Sequence, residues 1–352
     1  MMESVPNKIV LTRWLGRFGN RLFTYAFASH LAARFGLKVF APSAWEGTRL
    51  FRNAAKWNII TDDSLRLKVN QSISELDSSE YRSHAIDQYN RETGDHLQMI
   101  DAEDCSQYGA WNVAFEALCC WQPWIFAKYT RQELLSYFEF SDEVKASDVY
   151  RFYKSIQGTY DVAHVRRGDI TSRTDSSGYS VISLESYLQA FRKFDCDPDR
   201  VVYVSDDPGL RTPQLDFRDA PQDNDWTYPM GQDPVAEVFY PFFQDFLKMI
   251  FARRLFRANS SFSWWAGFLG TGQVYSPVLR ERVDYPTEHR EIQCDFEAGS
   301  EPHWFLLAGE ECNRIIIRGA PASPRFARPV NRNGFDWFAQ TAAENSCLDR
   351  SS

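Results

Sequence analysis

The sequence predicts an α/β protein built from two Rossmann-like domains facing a cleft. Two observations predict it: a strand-turn-helix-strand run near the N-terminus, and a second strand-helix alternation that starts near residue 160 after a polar helical connector. At 352 residues the chain is long enough for two domains.

In the first run, "NKIVLTRW" carries the β-branched residues of a short strand and "LGRFGN" is a glycine turn. "RLFTYAFASHLAARFG" then places apolar residues at helical spacing up to Gly36, a C-cap, and "KVFAP" is a strand stopped by Pro42. Residues 45–130 are expected to form shorter helices and loops and to offer a surface for a variable partner. "TRQELLSYFEFSDEVKASDVYRFYKSIQG" reads as the helical connector. In the second run, "YDVAHVRRGD" is a strand entering a basic loop, "SLESYLQAFRKF" an amphipathic helix with a Ser N-cap, and "RVVYVSDDPGL" a strand ending in an acidic turn. "AEVFYPFFQDFLKMIFARRLFRA" is expected to be one long apolar helix, with Pro241 as a point of interruption, and "QVYSPVL" a further strand. The domains are therefore placed at 1–150 and 151–300, with 301–352 as a partly irregular extension. No internal repeat or low-complexity block is present.

Composition narrows the function. The 44% hydrophobic share supports a real core, and the 15% aromatic share suits dense packing or a site for flat or sugar-like groups. A formal net charge of −8 disfavours nucleic acid as a partner but leaves room for a local basic pocket that takes a phosphorylated small molecule. The 7 cysteines form no CxxC and no zinc spacing, and the adjacent Cys119 and Cys120 fit reduced thiols. No run of 18 apolar residues and no signal-peptide pattern occur, so a soluble, cytoplasmic setting is expected and the sequons at Asn70 and Asn259 read as chance.

Four segments carry chemistry. "HVRRGD" (164–169) follows a strand, where ligands of open parallel sheets bind, and adjacent arginines offer fork-shaped donors for phosphate oxygens; the competing reading is a surface ion-pair cluster. "YVSDDP" (203–208) ends another strand: its two carboxylates would either hold a divalent metal or, as the residue pattern favours, cap a helix or orient an arginine. "GRFGN" (16–20) lacks the third glycine of a dinucleotide fingerprint, so Gly19 and Asn20 either contact phosphate or merely shape the helix start. In "ANSSFSWW" (258–265) the serines cap a helix whose open end is an anion site, while the tryptophans belong to its buried face.

Read in order, "GRFGNRLFTYAFA", "HVRRGD", "YVSDDP" and "FQDFLKMIFARRLFRANSSFSWWAGFLG" resemble the α-1,2-fucosyltransferase family and, more distantly, the α-1,6- and protein O-fucosyltransferases. The blocks span residues 16 to about 277, and 40–150 carries little resemblance. The first block departs from the family at Arg21 and Leu22, where Gln and Met are usual. The resemblance implies a GT-B fold, with 1–150 on the acceptor side and 151–300 binding the GDP-sugar. It also implies GDP-L-fucose as donor, a glycan or glycoconjugate acceptor, inversion, and no metal or other cofactor. Under it Arg166 grips the β-phosphate and stabilises departing GDP, while His164, Arg167 and Asp169 shape the loop. Asp245 reads guanine, Ser261 and Phe262 contact phosphate together with Asn259 and Ser260, Asp206 borders the donor, and Asn20 with Gly19 faces the cleft. His164, Asp169 and Asp175 are the candidates for a base acting on the acceptor hydroxyl. Two rival readings are a transferase for another GDP-activated sugar and an inactive nucleotide-sugar or glycan-binding homologue. The acceptor, the exact linkage and the oligomeric state are not legible in the sequence.

Overall fold

The computed structural model describes residues 8–11, 14, 17–36, 38–41, 45–59, 97–99, 112–115, 131–167, 181–207, 210, 242–279, 291–299, 310–312 and 315–317. The described residues divide into two compact units, with the division in the connector between Ser141 and Asp142. Both are mixed α/β around a mainly parallel sheet.

In the first unit, β1 (Lys8–Leu11), β2 (Lys38–Ala41), β3 (Asn58–Ile59), β4 (Leu97–Met99) and β5 (Asn112–Phe115) form one parallel sheet in the order β3-β2-β1-β5-β4. The expected helix is α1 (Phe18–Phe35), closed by Gly36 in the left-handed conformation at φ 64°, which a side chain would strain. Residues 45–130 hold the short helix α2 (Glu46–Leu50), as expected, but also strands β3, β4 and β5, which the sequence reading took for loops. Strands of two to four residues are too short to show a period. Arg21, the departure from the family pattern, is buried and its Nη1 donates to both carboxylate oxygens of Glu46 at 3.2 and 3.1 Å, tying the first turn of α1 to α2. Tyr25 packs among Trp45, Phe51 and Phe138 at ring separations of 5.1–5.4 Å, which accounts for part of the high aromatic content.

The expected single connector is three helices: α3 (Arg131–Tyr137) in the first unit, then α4 (Asp142–Ala146) and α5 (Asp148–Ser155) in the second. The break between α3 and α4 is a bridge that pairs Phe140 with Phe51. Ser147 caps α5 by accepting the N–H of Tyr150.

The second unit's main sheet has seven strands among the described residues. Its path is β13 (Glu310–Cys312), β14 (Ile315–Ile317), β10 (Gln273–Leu279), β9 (Arg254–Phe256), β6 (Asp161–Val165) and β8 (Val201–Ser205), with β12 (Asp295–Ala298) also pairing β10. All neighbours are parallel except β12 on β10 and β13 on β14. Strands β13 and β14 therefore belong to the sheet, although the sequence reading placed them in the partly irregular extension. A separate two-stranded ribbon pairs β7 (Val181–Ile182) with β11 (Glu291–Ile292). Helix α6 (Leu184–Lys193) starts at the expected cap, Ser183, whose side chain accepts the N–H of Ser186.

The expected long helix over 236–258 is corrected. Helix α7 (Phe242–Ile250) ends in a turn and gives way to strand β9 between β10 and β6, while residues 236–241 lie outside the described residues. A strand covered on both faces reads as a continuous apolar run, so "RLF" carried no alternation to separate it from the helix before it. Helix α8 (Ser261–Leu269) follows, with Ser263 through Phe268 buried and Trp264 stacked on Phe268. It lies so close to the sheet that a Cβ on Gly267 would come within 3.0 Å of Val274. Beneath α6, Phe256 stacks on Tyr275 at 4.6 Å and meets Phe191 edge to face at 5.0 Å.

Candidate functional site

Strands β9, β6 and β8 lie side by side and parallel, so their carboxyl ends open on one edge of the second unit. Three segments arrive there: His164 to Arg167 at the end of β6, Ser205 to Asp207 at the end of β8, and Arg257 to Ser261 between β9 and α8. The topology thus gathers His164, Arg166, Arg167, Asp206, Asn259, Ser260, Ser261 and Phe262 at one edge. Asp169 and Asp175 lie outside the described residues.

Helix α8 presents its N-terminus to this edge. Ser260 is the N-cap, with extended backbone at φ −138° and ψ 134°, and its Oγ accepts the N–H of Phe262 at 3.3 Å. Asn259 and Ser260 are buried, while Ser261 and Phe262 are half-buried. The first turn holds no acidic residue, so no carboxylate of its own offsets the positive end of the helix dipole.

The Phe262 ring bridges three elements. It stacks on Phe246 of α7 at 5.2 Å, meets Phe242 at 6.5 Å, and approaches His164 edge to face at 5.9 Å. His164 is 7% exposed, and its Nδ1 finds no hydrogen-bond partner among the described residues. Burial, reinforced by the charge of Arg166 and opposed by Asp206, pulls its pKa down to about 3. The imidazole is therefore neutral at pH 7. That suits a hydrogen-bonding role and makes it too weak a base to take a proton from a sugar hydroxyl.

Each side of the HVRR segment is held. The buried Tyr187 hydroxyl donates to the carbonyl of His164 at 2.8 Å. Ser205 Oγ donates to the carbonyl of Val165 at 2.6 Å, and Asp206 Oδ1 accepts the backbone N–H of Arg167 at 2.8 Å. The Arg167 guanidinium turns toward the β7–β11 ribbon: Nη1 donates to the Ile182 carbonyl at 2.7 Å and Nη2 lies 3.7 Å from the Glu291 carboxylate. Arg166 is half-buried beyond the strand end. The geometry separates the two arginines, giving Arg167 a bracing role inside the unit.

Asp245 sits in the first turn of α7, where its Oδ1 pairs with Lys248 Nζ at 2.7 Å and the side chain is 36% exposed. Its neighbours Phe243, Phe246 and Leu247 are buried, so the carboxylate lies on the rim of an apolar helix face. Gly19 and Asn20 occupy the first turn of α1 in the first unit, where Gly19 is buried, Asn20 is half-buried, and the Asn20 N–H donates to the Arg17 carbonyl at 2.9 Å.

One residue of this edge escaped the sequence reading. Arg257 is 1% exposed, its backbone N–H donates to the Tyr275 carbonyl at 3.0 Å and its Nε donates to Ser276 Oγ at 2.7 Å. The signal was the second cation inside "RLFRANSS", three residues after Arg254. Assigning that run to a helix hid the fact that Arg257 directly follows a buried strand. Among the described residues no group of three or more His, Cys, Asp or Glu side chains is placed to hold a metal, and no helix is long and apolar enough to cross a membrane.

No family model matches the chain, and no curated protein does. Solved structures do. NodZ α-1,6-fucosyltransferase soaked with GDP-fucose is 16% identical, with a TM-score of 0.41 over 84% of this chain and 100% of that one. A second NodZ fucosyltransferase structure, from Bradyrhizobium, gives 16% and 0.41 over 77% and 96%. A variant of Arabidopsis thaliana FUT1 in complex with GDP is 13% identical, with a TM-score of 0.47 over 84% of this chain and 75% of that one. POFUT1 in complex with GDP is 10% identical, with 0.40 over 77% and 97%. At these identities and TM-scores the likeness transfers no residue role to this chain, whose site rests on its own residues.

Proposed function

We propose that the chain is an inverting, metal-independent fucosyltransferase of GT-B type that moves L-fucose from GDP-L-fucose to a glycan hydroxyl, α-1,2 to a galactose-like terminus. One observation carries the reading: at the carboxyl edge of adjacent parallel strands, Arg166 follows β6 while the serine-capped N-terminus of α8 follows β9. A guanidinium and a helix N-terminus on one edge suit a diphosphate leaving group. The four sequence blocks that resemble the α-1,2-fucosyltransferases include both elements.

The mechanism follows from charge. As GDP departs, negative charge builds on the β-phosphate and the sugar becomes oxocarbenium-like. Arg166 and the α8 N-terminus stabilise the first, with Asn259, Ser260 and Ser261 lining the phosphate path and Phe262 walling it. Neutral His164 supplies a hydrogen-bonding nitrogen, and the base for the acceptor hydroxyl falls to a carboxylate, Asp169 or Asp175. Asp245 accepts the two adjacent donors on the guanine edge, N1–H and the N2 amino group.

Two tests follow. Fucose transfer is expected to persist in excess EDTA; activity lost there and restored by manganese would make Asp206 and Asp207 metal ligands. Asp245→Ala is expected to weaken GDP binding by about 1–3 kcal/mol, the cost of leaving guanine's donors unpaired, and to narrow the preference for GDP over ADP and UDP. Calorimetric titration of the three nucleotides reads this directly, and an unchanged GDP affinity removes Asp245 from the site.

A further inference from the structure

We propose that Ser205 and Asp206, at the end of β8, are positioning residues that clamp the backbone on both sides of Arg166. The inference rests on the donor-binding reading of that edge. The regular ladder between β6 and β8 ends at the pair Val165 and Ser205, and among the described residues no strand pairing holds the chain beyond it. Side chains at the end of β8 and just beyond it take over. Ser205 Oγ donates to the Val165 carbonyl at 2.6 Å, which belongs to the peptide preceding Arg166. Asp206 Oδ1 accepts the Arg167 N–H at 2.8 Å, which belongs to the peptide following it. One residue pair thus fixes both peptide planes that flank the Arg166 Cα, and with them the φ and ψ from which its side chain departs. Arg167 strengthens the clamp from the far side through the Ile182 carbonyl.

A guanidinium aimed at a leaving group works through orientation, and a misplacement of about 1 Å can cost roughly 10²-fold in rate. This explains an acidic turn beside a phosphate-binding loop: the carboxylate contributes an acceptor oxygen to a backbone N–H. An asparagine keeps that oxygen. A metal ligand, or a carboxylate acting through its charge, would not survive that change.

The test compares Asp206→Ala with Asp206→Asn in the full chain. Asp206→Ala should lower kcat roughly 10²-fold with the KM for GDP-fucose near its wild-type value, and Asp206→Asn should restore most of that loss. Ser205→Ala should lower kcat in the same sense. An asparagine variant as slow as the alanine variant, or an alanine variant with wild-type kcat, would overturn the proposal. Backbone hydrogen exchange at the Arg167 amide reads the clamp without any substrate: protection should fall in Asp206→Ala and persist in Asp206→Asn. If the wild-type protein transferred no fucose, the functional reading would fail while the exchange result still decided the clamp. Unchanged Arg167 protection in Asp206→Ala would overturn it whatever the activity.

Discussion

Arg166→Ala is expected to lower turnover by two to three decades, roughly 3–4 kcal/mol of lost transition-state stabilisation, while the protein still folds. The residue stands half-buried beyond the end of β6, outside the strand ladder, so its removal leaves the sheet intact. Arg166→Lys is expected to recover little of the rate, because an ammonium cannot reproduce the two-pronged grip of a guanidinium on phosphate oxygens. Single-turnover rates with GDP-fucose, beside thermal melts of each variant, separate the chemical loss from any folding defect. A lysine variant that turns over near the wild-type rate would show that charge alone suffices and that the bidentate geometry is not used.

The second large effect lies at the opposite, amino-terminal end of the same strands. Asp161 opens β6 with its side chain 6% exposed, and it holds two arginines. Arg253 donates from Nε and Nη2 at 2.9 and 2.8 Å, and Arg254 from Nε and Nη2 at 3.0 and 2.6 Å. Arg254 is only 18% exposed, so deleting the carboxylate leaves its charge largely desolvated. Asp161→Ala should therefore cost about 3 kcal/mol, the lower end for breaking a buried pair, because Arg253 is exposed and Arg254 keeps the Phe194 carbonyl at 2.8 Å. Burial alone would raise the Asp161 pKa, but hydrogen bonds from Arg253 and Arg254 outweigh it, and the folded-state value lies below the ordinary 3.8. A carboxyl whose folded pKa is depressed contributes its full stability above the ordinary value and loses it as the pH falls toward the folded one. The stability gap between wild type and Asp161→Ala should thus be flat through neutral pH and close in acid. Urea unfolding at a series of pH values reads the gap, and one that widened in acid would reverse the sign of this linkage.

The two runs of strand, turn and helix were legible because each carries its own punctuation. Gly36 ends α1, Ser183 opens α6, and "QVYSPVL" coincides with β10. Strand β9 was hidden because both its faces are covered, which erases the alternation that marks a strand. The short strands β3 to β5 were hidden because pairing partners far along the chain define them. At the site, residue types were legible and contacts were not. The acidic turn reads in the sequence as a metal site, a helix cap or an arginine-orienting device, but only the fold could bring Asp206 to the Arg167 amide across 39 residues. Likewise His164 was one of three candidate bases in the sequence, beside Asp169 and Asp175; its burial and its contact with Phe262 appear only once β6 and α8 are side by side.

The most direct test of the central claim is incubation of the protein with GDP-fucose over a glycan array that includes galactose-terminated oligosaccharides, with the product linkage determined by NMR. Transfer of fucose in α-linkage to a galactose-like terminus, with release of GDP, is the predicted result. Release of no GDP from GDP-fucose and no labelled product on any acceptor, from a folded protein, would contradict it.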